Sequence, residues 1–153
     1  MSAYLDRIKS RAAELKKTIV LCEGEDKRVV EAAARITKEG IAKIVLIGNK
    51  EECERVAPGA DLTGITLIDP LTSDLTKKYA TLLYELRKDK GMTEQMAAEA
   101  AKDRTMFGAL MLKAGDVDGY VSGACHSTAN TLRPGLQVIK TAPGTKLVSS
   151  CFI

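Results

Sequence analysis

Residues 18–47 read TIVLCEGEDKRVVEAAARITKEGIAKIVLI, and this stretch decides the fold. The apolar run at 18–22 predicts a buried strand, and the run at 41–47 predicts a second one. Between them, apolar residues recur at helical spacing over 29–36, and Asp26 can cap that helix. A strand, a helix and a second strand in this order form a parallel crossover unit. We therefore expect an α/β protein.

The same alternation continues along the rest of the chain. An amphipathic helix at 4–17 precedes the first strand. After the second strand, the pattern predicts a short helix at 50–56, a strand at 65–70, and a helix that is capped by Ser73 or Asp74 and closed at Gly91. A helical hairpin within 93–113 and a strand at 120–124 follow. The last two predicted elements are a helix opened by Pro134 and a fifth strand at 146–153. This order favours three layers, with a mostly parallel sheet flanked by helices.

The composition excludes several classes of protein. The chain has 153 residues, of which 45% are hydrophobic, so it can bury one core. Its net charge of +3 comes from 23 basic and 20 acidic residues that are interleaved, so no basic block indicates a nucleic-acid or membrane surface. The four cysteines form no Cys-x-x-Cys pair, and no signal peptide is visible, which favours a reduced cytoplasm. His126 is the only histidine, so we expect no metal site.

The polar loop after the fourth predicted strand is the candidate functional site. It holds Ser127, Thr128, Thr131 and Arg133, and the next helix, which Pro134 opens, should begin between Asn130 and Pro134 because proline fits a first helical turn. Hydroxyl groups, a guanidinium and free backbone N–H groups at a helix start suit a phosphate-sized anion. From the pattern alone, a set of ordinary turn and cap residues is an equally good interpretation.

Several neighbouring residues also have structural interpretations. Arg87 ends its predicted helix, where a cation either complements the helix dipole or contacts a ligand. His126 is expected to be a hydrogen-bonded structural histidine, because no third residue would orient it as a base beside Ser127. Cys125 is expected to be a small buried thiol. Glu23 and Glu25 are expected to shape their loop, because carboxylates would repel a phosphate.

The sequence VSGACHSTANTLRP at 121–134, followed by QVIKTA at 137–142, resembles the signature of phosphate acetyltransferases, also called phosphotransacetylases. The resemblance covers essentially the whole chain, because other segments match the family in order: 18–21 with 23–28, 40–42 with 45–49, 84–88 with 90–93, and 115–119. Cys22, Cys125 and Asn130 depart from residues common in the family, and we expect them to tune the loop locally.

The resemblance implies a two-domain enzyme of about twice this length, with an isocitrate/isopropylmalate-dehydrogenase-like architecture. Residues 1–144 would then be its N-terminal α/β domain, and residues 145–153 would begin the second domain. The implied reaction moves an acetyl group reversibly between acetyl phosphate and coenzyme A. Coenzyme A and acetyl-CoA are substrates in this scheme, phosphate is the leaving group, and no tightly bound cofactor is expected.

Site roles also follow from the resemblance. Arg87 and Arg133 would hold the phosphoryl group and offset developing charge, while Ser127, Thr128 and Thr131 would contact the phosphate. The family's base and most of its coenzyme A surface belong to the second domain, so this chain is expected to supply only the phosphate-binding part. Two alternatives stay open: a non-catalytic phosphate or acyl-phosphate binding domain produced by truncation, and a phosphate butyryltransferase. We expect no nucleic-acid or membrane partner, and we expect a homo-oligomer, namely a dimer.

Overall fold

The computed structural model describes residues 3–145, which form a four-stranded parallel sheet with helices on both faces. The strands are β1 (Thr18–Leu21), β2 (Lys43–Ile47), β3 (Thr66–Ile68) and β4 (Gly119–Val121). Their order in the sheet is β3-β2-β1-β4, and every neighbouring pair is parallel. The predicted α/β class is confirmed, whereas the predicted fifth strand at 146–153 lies outside the described residues.

Seven α-helices surround the sheet in the described part of the chain. They are α1 (Ala3–Leu15), α2 (Lys27–Lys38), α3 (Lys50–Val56), α4 (Leu75–Arg87), α5 (Glu94–Ala100), α6 (Arg104–Ala114) and α7 (Thr128–Pro134). A 3₁₀ turn (Lys88–Lys90) follows α4, and a π-helical turn (Gly135–Ile139) continues α7. The side chains that accept a backbone N–H at helix starts include those of Asp26, Asn49, Ser73, Thr93, Asp103 and Ser127.

The core lies on both faces of the sheet, because successive strand residues point to opposite sides. One set of side chains packs against α4 and α6, and it comprises Val20, Val45 and Ile47 of the strands together with Cys22, directly after β1. The alternate set packs against α2 and α3, and it comprises Leu21, Ile44 and Leu46. The three predicted layers, helices on each side of a parallel sheet, are therefore confirmed.

Helix α6 lies very close to the sheet. Residues 105–111 are all buried, and a Cβ added at Gly108 would overlap the Sγ atom of Cys22, so glycine permits this approach. At the start of α6, the guanidinium of Arg104 pairs with Glu25 in the loop after β1 and with Glu52 in α3. Helix α6 therefore ties together the segments that follow β1 and β2.

An apolar groove of 630 Å³ remains open on the α2 face of the sheet, beside α1. Aliphatic side chains line most of it, among them Leu15, Ile19, Ile36 and Val121. Ser127, Thr128, Thr131, Arg133 and Arg87 do not line this groove, although Glu23, Ser122 and Ala124 from the adjoining loops do. No helix within residues 3–145 combines the length and the apolar character needed to cross a bilayer.

Strand β1 is the point where the sheet order reverses. The chain moves outward from β1 to β2 and β3, and it then returns to place β4 on the other side of β1. In open parallel sheets, ligands bind beyond the carboxyl ends of the strands at such a reversal. The loops after β1 and β4, residues 22–26 and 122–127, meet at this position.

Candidate functional site

The carboxylate of Glu23, in the loop after β1, holds the loop after β4 in place. It accepts backbone N–H groups from Gly123 (3.0 Å), Ala124 (2.9 Å), Cys125 (3.0 Å) and His126 (3.3 Å), and its side chain is 2% exposed. The structural role predicted for Glu23 is confirmed. The expectation of free N–H groups in this loop is wrong for residues 123–126, because an internal carboxylate already binds them.

Glu23 stays ionised in this position. Burial by itself raises the pKa of its carboxyl, but the N–H groups of Cys125, Ala124 and His126 together with the His126 ring outweigh that penalty and lower the pKa to about 2. The ring of His126 contributes through Nδ1, which lies 2.9 Å from Glu23 Oε1. The interpretation of His126 as a hydrogen-bonded structural histidine is therefore confirmed.

Helix α7 begins at Thr128, two residues before the predicted range of Asn130 to Pro134, so the prediction that Pro134 opens it is wrong. Ser127 caps the helix with an extended backbone, and its Oγ accepts the N–H of Asn130 at 3.3 Å. Pro134 is instead buried at the end of α7, where its ring removes one backbone bond, and the chain continues as the π-helical turn. The cap decides the start of this helix, because it satisfies a first-turn donor that proline cannot.

Four predicted site residues lie together on the first two turns of α7. Thr131 Oγ1 donates to the Ser127 carbonyl at 3.1 Å, and Arg133 donates to Asn130 Oδ1 at 3.0 Å through one guanidinium nitrogen. The other guanidinium N–H groups of Arg133 have no acceptor among residues 3–145. Thr128 is exposed in the first turn, where backbone N–H groups have no intrahelical acceptor. This helix start can therefore present hydroxyl, amide and guanidinium donors to an anion.

Arg87 is the predicted site residue that the structure leaves apart from the others. It is the half-buried last residue of α4, and no hydrogen bond in the described part of the chain joins it to α7. Helix α4 does pack against the π-helical turn that continues α7. The Nε atom of Arg87 is buried without an acceptor within residues 3–145, which is unusual for a charged donor.

Two further polar groups near this edge were missed by the sequence analysis. The hydroxyl groups of Tyr120, in β4, and Ser122, directly after it, are buried, and within residues 3–145 they make no hydrogen bond of ordinary geometry, although the Tyr120 hydroxyl lies near the Ser122 hydroxyl and the Cys22 thiol. Ser122 lies in the quoted signature, and its position at a strand end was the signal that could have identified it. Buried polar groups that lack a well-formed hydrogen bond call for an explanation, and a bound ligand is one.

Cys125 differs from its prediction, because its side chain is exposed and not buried. Local burial of its sulfur, followed by the charges of Glu25 and Glu23, raises the pKa of the thiol to about 11. A thiol with a raised pKa is mostly protonated at neutral pH and is a poor nucleophile. The structure therefore gives Cys125 no features of an activated catalytic cysteine.

The chain is similar to known proteins in both sequence and fold. The sequence profile of a family described as "Phosphate acetyl/butaryl transferase" matches residues 3–153. The phosphate acetyltransferase of Acetivibrio thermocellus is 54% identical over 151 residues, which span 99% of this chain and 46% of that protein.

Two solved structures are also similar. The EutD phosphotransacetylase from Staphylococcus aureus has a TM-score of 0.85 and 37% identity, covering 94% of this chain and 44% of that one. A phosphotransacetylase from Streptococcus pyogenes has a TM-score of 0.87 and 36% identity, covering 96% and 46%. This chain spans about half the length of the relatives it matches. It belongs to the phosphate acetyl/butaryl transferase family.

Proposed function

We propose that this chain takes part in reversible acetyl transfer between acetyl phosphate and coenzyme A, and that it supplies the part that binds the phosphoryl group. The observation that carries the proposal is the start of α7, where Ser127, Thr128, Thr131 and Arg133 lie within two turns around unpaired backbone donors. The relatives named phosphate acetyltransferase support the same reaction.

In the proposed reaction, negative charge develops on the leaving phosphate, which would lie beside the donors at the start of α7. A coenzyme A thiolate attacks the acetyl carbonyl, the bond between that carbon and the phosphate oxygen breaks, and phosphate leaves. Arg133 would offset the charge that grows on the leaving phosphate, and the Ser127 and Thr128 hydroxyls would donate hydrogen bonds to it. Arg87 would complete the phosphate contacts, using the Nε donor that has no acceptor among residues 3–145.

We further propose that this chain binds the phosphoryl group without completing the reaction alone. The support is its length, because relatives of the family are about twice as long. The base that takes the thiol proton and most of the coenzyme A surface would then belong to a second part. In this scheme residues 1–144 form the first domain and residues 145–153 begin the second, and the assembly would be a cytoplasmic homodimer.

Acetyl rather than butyryl phosphate is the proposed substrate. The family description includes both acyl groups, whereas the relatives that are about half identical to this chain are named phosphate acetyltransferases. Competition between acetyl phosphate and butyryl phosphate in the assembled enzyme tests this choice. A higher kcat/KM for butyryl phosphate would contradict it.

Binding of the phosphoryl group can be tested by thermal unfolding with acetyl phosphate or phosphate. Both ligands should raise the Tm of the wild-type chain, and Arg133→Ala should reduce that rise because a charge-assisted bond is lost. Arg11→Ala is the matched control, since it removes the same charge from an exposed position on α1. Equal shifts in wild type and Arg133→Ala would contradict the proposed site.

Measuring acetyl-CoA formation distinguishes the proposed role in acetyl transfer from a domain that only binds phosphate. We expect no acetyl-CoA from this chain alone and measurable acetyl-CoA when a second domain from a full-length relative is added. Turnover by the lone chain would overturn its role as a phosphate-binding part. Absence of turnover in the mixture, together with ligand-dependent stabilisation, would favour the alternative of a non-catalytic binding domain.

A further inference from the structure

Three types of metal-binding side chain meet where the loops after β1 and β4 come together. The Sγ atom of Cys125 lies 3.8 Å from Glu25 Oε1 and 3.8 Å from His126 Nδ1. Glu25 Oε1 lies 3.6 Å from His126 Nε2. The nearest donor atoms of Glu23, Cys125 and His126 also lie within 4.8 Å of one another. The cluster therefore contains a thiol, an imidazole and two carboxylates.

Hydrogen bonds in the cluster determine which atoms are free. An ionised carboxylate can only accept, so His126 Nδ1 must donate to Glu23 across their 2.9 Å contact. In the neutral ring, Nε2 then carries the lone pair, and Nε2 is the ring atom near Glu25. Glu25 uses Oε2 to pair with Arg104, which leaves Oε1 toward Cys125 and His126. A buried carboxylate behind a histidine is the arrangement that orients metal-ligating imidazoles.

We propose that Glu25, Cys125 and His126 bind one divalent transition-metal ion of the zinc class, and that Glu23 is the residue that positions the imidazole. Zinc bonds of about 2.0–2.3 Å place neighbouring donors of a tetrahedral site roughly 3.3–3.6 Å apart. The distances of 3.6 and 3.8 Å from Glu25 Oε1 are close to that spacing. Rotation of the Cys125 side chain must still bring Sγ toward Nε2, because the ring atom that now lies 3.8 Å from Sγ is Nδ1.

The donor set also determines which ions fit. Thiolate and imidazole favour Zn²⁺ and Co²⁺, whereas Mg²⁺ prefers oxygen ligands and keeps its waters. On binding, the Cys125 S–H bond breaks, a metal–sulfur bond forms and the proton passes to the buffer. The ion would link the loop after β1 to the loop after β4, directly before the Ser127 cap of α7. Its charge would therefore lie beside the proposed phosphate site.

Titration of the chain with Co²⁺ tests this proposal without measuring activity. In EDTA-treated, reduced protein, we expect a thiolate-to-cobalt charge-transfer band and visible d–d bands that saturate at one ion per chain. Zn²⁺ should displace Co²⁺ and remove these bands, and excess Mg²⁺ should leave them unchanged. Absence of the charge-transfer band in the wild-type chain would overturn the site.

Pairs of variants, each with a control substitution of the same type, test which side chains bind the metal ion. Cys125→Ser should abolish the charge-transfer band, and Cys151→Ser should retain it. Glu25→Gln should weaken Co²⁺ binding at least tenfold, and Glu99→Gln, which removes an exposed carboxylate paired with Lys102, should leave it unchanged. Circular dichroism establishes that each variant is folded. A band that persists in Cys125→Ser, or equal Co²⁺ affinity in Glu25→Gln and wild type, would contradict the assignment.

Discussion

Glu23 Oε1 and His126 Nδ1 lie 2.9 Å apart, although 103 positions separate these residues in the sequence. The bond is one part of a larger contact, because the same carboxylate accepts the backbone N–H groups of residues 123–126. The crevice between β1 and β4 is therefore filled from within the chain. In the proposed function, the phosphate therefore binds beyond this crevice, at the start of α7.

Replacing Glu23 with glutamine should destabilise the fold strongly. The amide cannot accept as many N–H groups as the carboxylate, and its NH₂ would face backbone donors, so we expect a loss of about 3 kcal/mol in the free energy of unfolding. Urea denaturation at pH 7 measures this value. Glu99→Gln is the control, and its exposed ion pair should change stability by less than about 0.5 kcal/mol. Similar effects of the two changes would contradict the role of Glu23.

The contribution of Glu23 should depend on pH in the acid range. Its pKa is about 2 in the folded chain, below the ordinary value of 4.5, so the unfolded chain binds the proton more tightly. The stabilisation is therefore complete above about pH 5 and is lost as the pH falls toward about 2. The stability gap between wild type and Glu23→Gln, measured with EDTA present, should narrow over this range. A gap that is constant with pH would show that ionisation of Glu23 does not stabilise the fold.

Substituting Gly123 should strain the loop that carries the proposed site. Gly123 has a φ of +110°, and a Cβ there would lie 3.3 Å from Thr131 Cγ2. We expect Gly123→Ala to cost about 1–3 kcal/mol and to reduce stabilisation by phosphate, because Thr131 must move. Gly59→Ala is the control, since its φ is +87° but no atom lies within 4 Å of the added Cβ. An equal loss of stability in the two variants would mean that contact with Thr131 is unimportant.

Removing the hydroxyl of Tyr79 should weaken the contact between α4 and the end of α6. Tyr79 is fully buried, and its hydroxyl donates to Asp116 Oδ2 at 2.6 Å. Tyr79→Phe should lower the free energy of unfolding by about 1.5–3 kcal/mol, because a bond to a charged acceptor is lost. Tyr84→Phe on the same helix is the comparison, since the Tyr84 hydroxyl makes no hydrogen bond within residues 3–145. Chemical denaturation of both variants should show a clearly larger loss for Tyr79.

The thiol of Cys125 should react faster when a neighbouring charge is removed. Its pKa is about 11, raised by burial and then by Glu25, so Glu25→Gln should lower it and increase the thiolate fraction at pH 8. We expect alkylation by iodoacetamide in metal-free protein to accelerate by about threefold to tenfold, measured on the Cys125 peptide by mass spectrometry. Glu52→Gln removes the other partner of Arg104 and is the control. If alkylation of Cys125 accelerated equally in both variants, the cause would be the loss of a partner of Arg104 and not the loss of the Glu25 charge beside the thiol.

Local sequence patterns were sufficient for most of the elements. Hydrophobic spacing and helix caps involve residues only a few positions apart, so both can be identified in the sequence itself. They predicted the order of strands and helices and also the bounds of α3 at Lys50–Val56. The candidate residues Ser127, Thr128, Thr131 and Arg133 share one helix because they are close in sequence. The error at Pro134 arose from giving proline more weight than the Ser127 cap.

By itself, then, the sequence determined the layered α/β architecture and the set of donors on α7, because both follow from short-range spacing. Tertiary structure alone decided that the N–H groups of the preceding loop are occupied while the start of α7 stays exposed. Placing β4 beside β1 brings Glu23 to the N–H groups of residues 123–126, and placing α6 on the sheet brings Arg104 to Glu25 and Glu52. These contacts join segments 50 or more positions apart, and spacing along the chain does not specify which loops a sheet brings together.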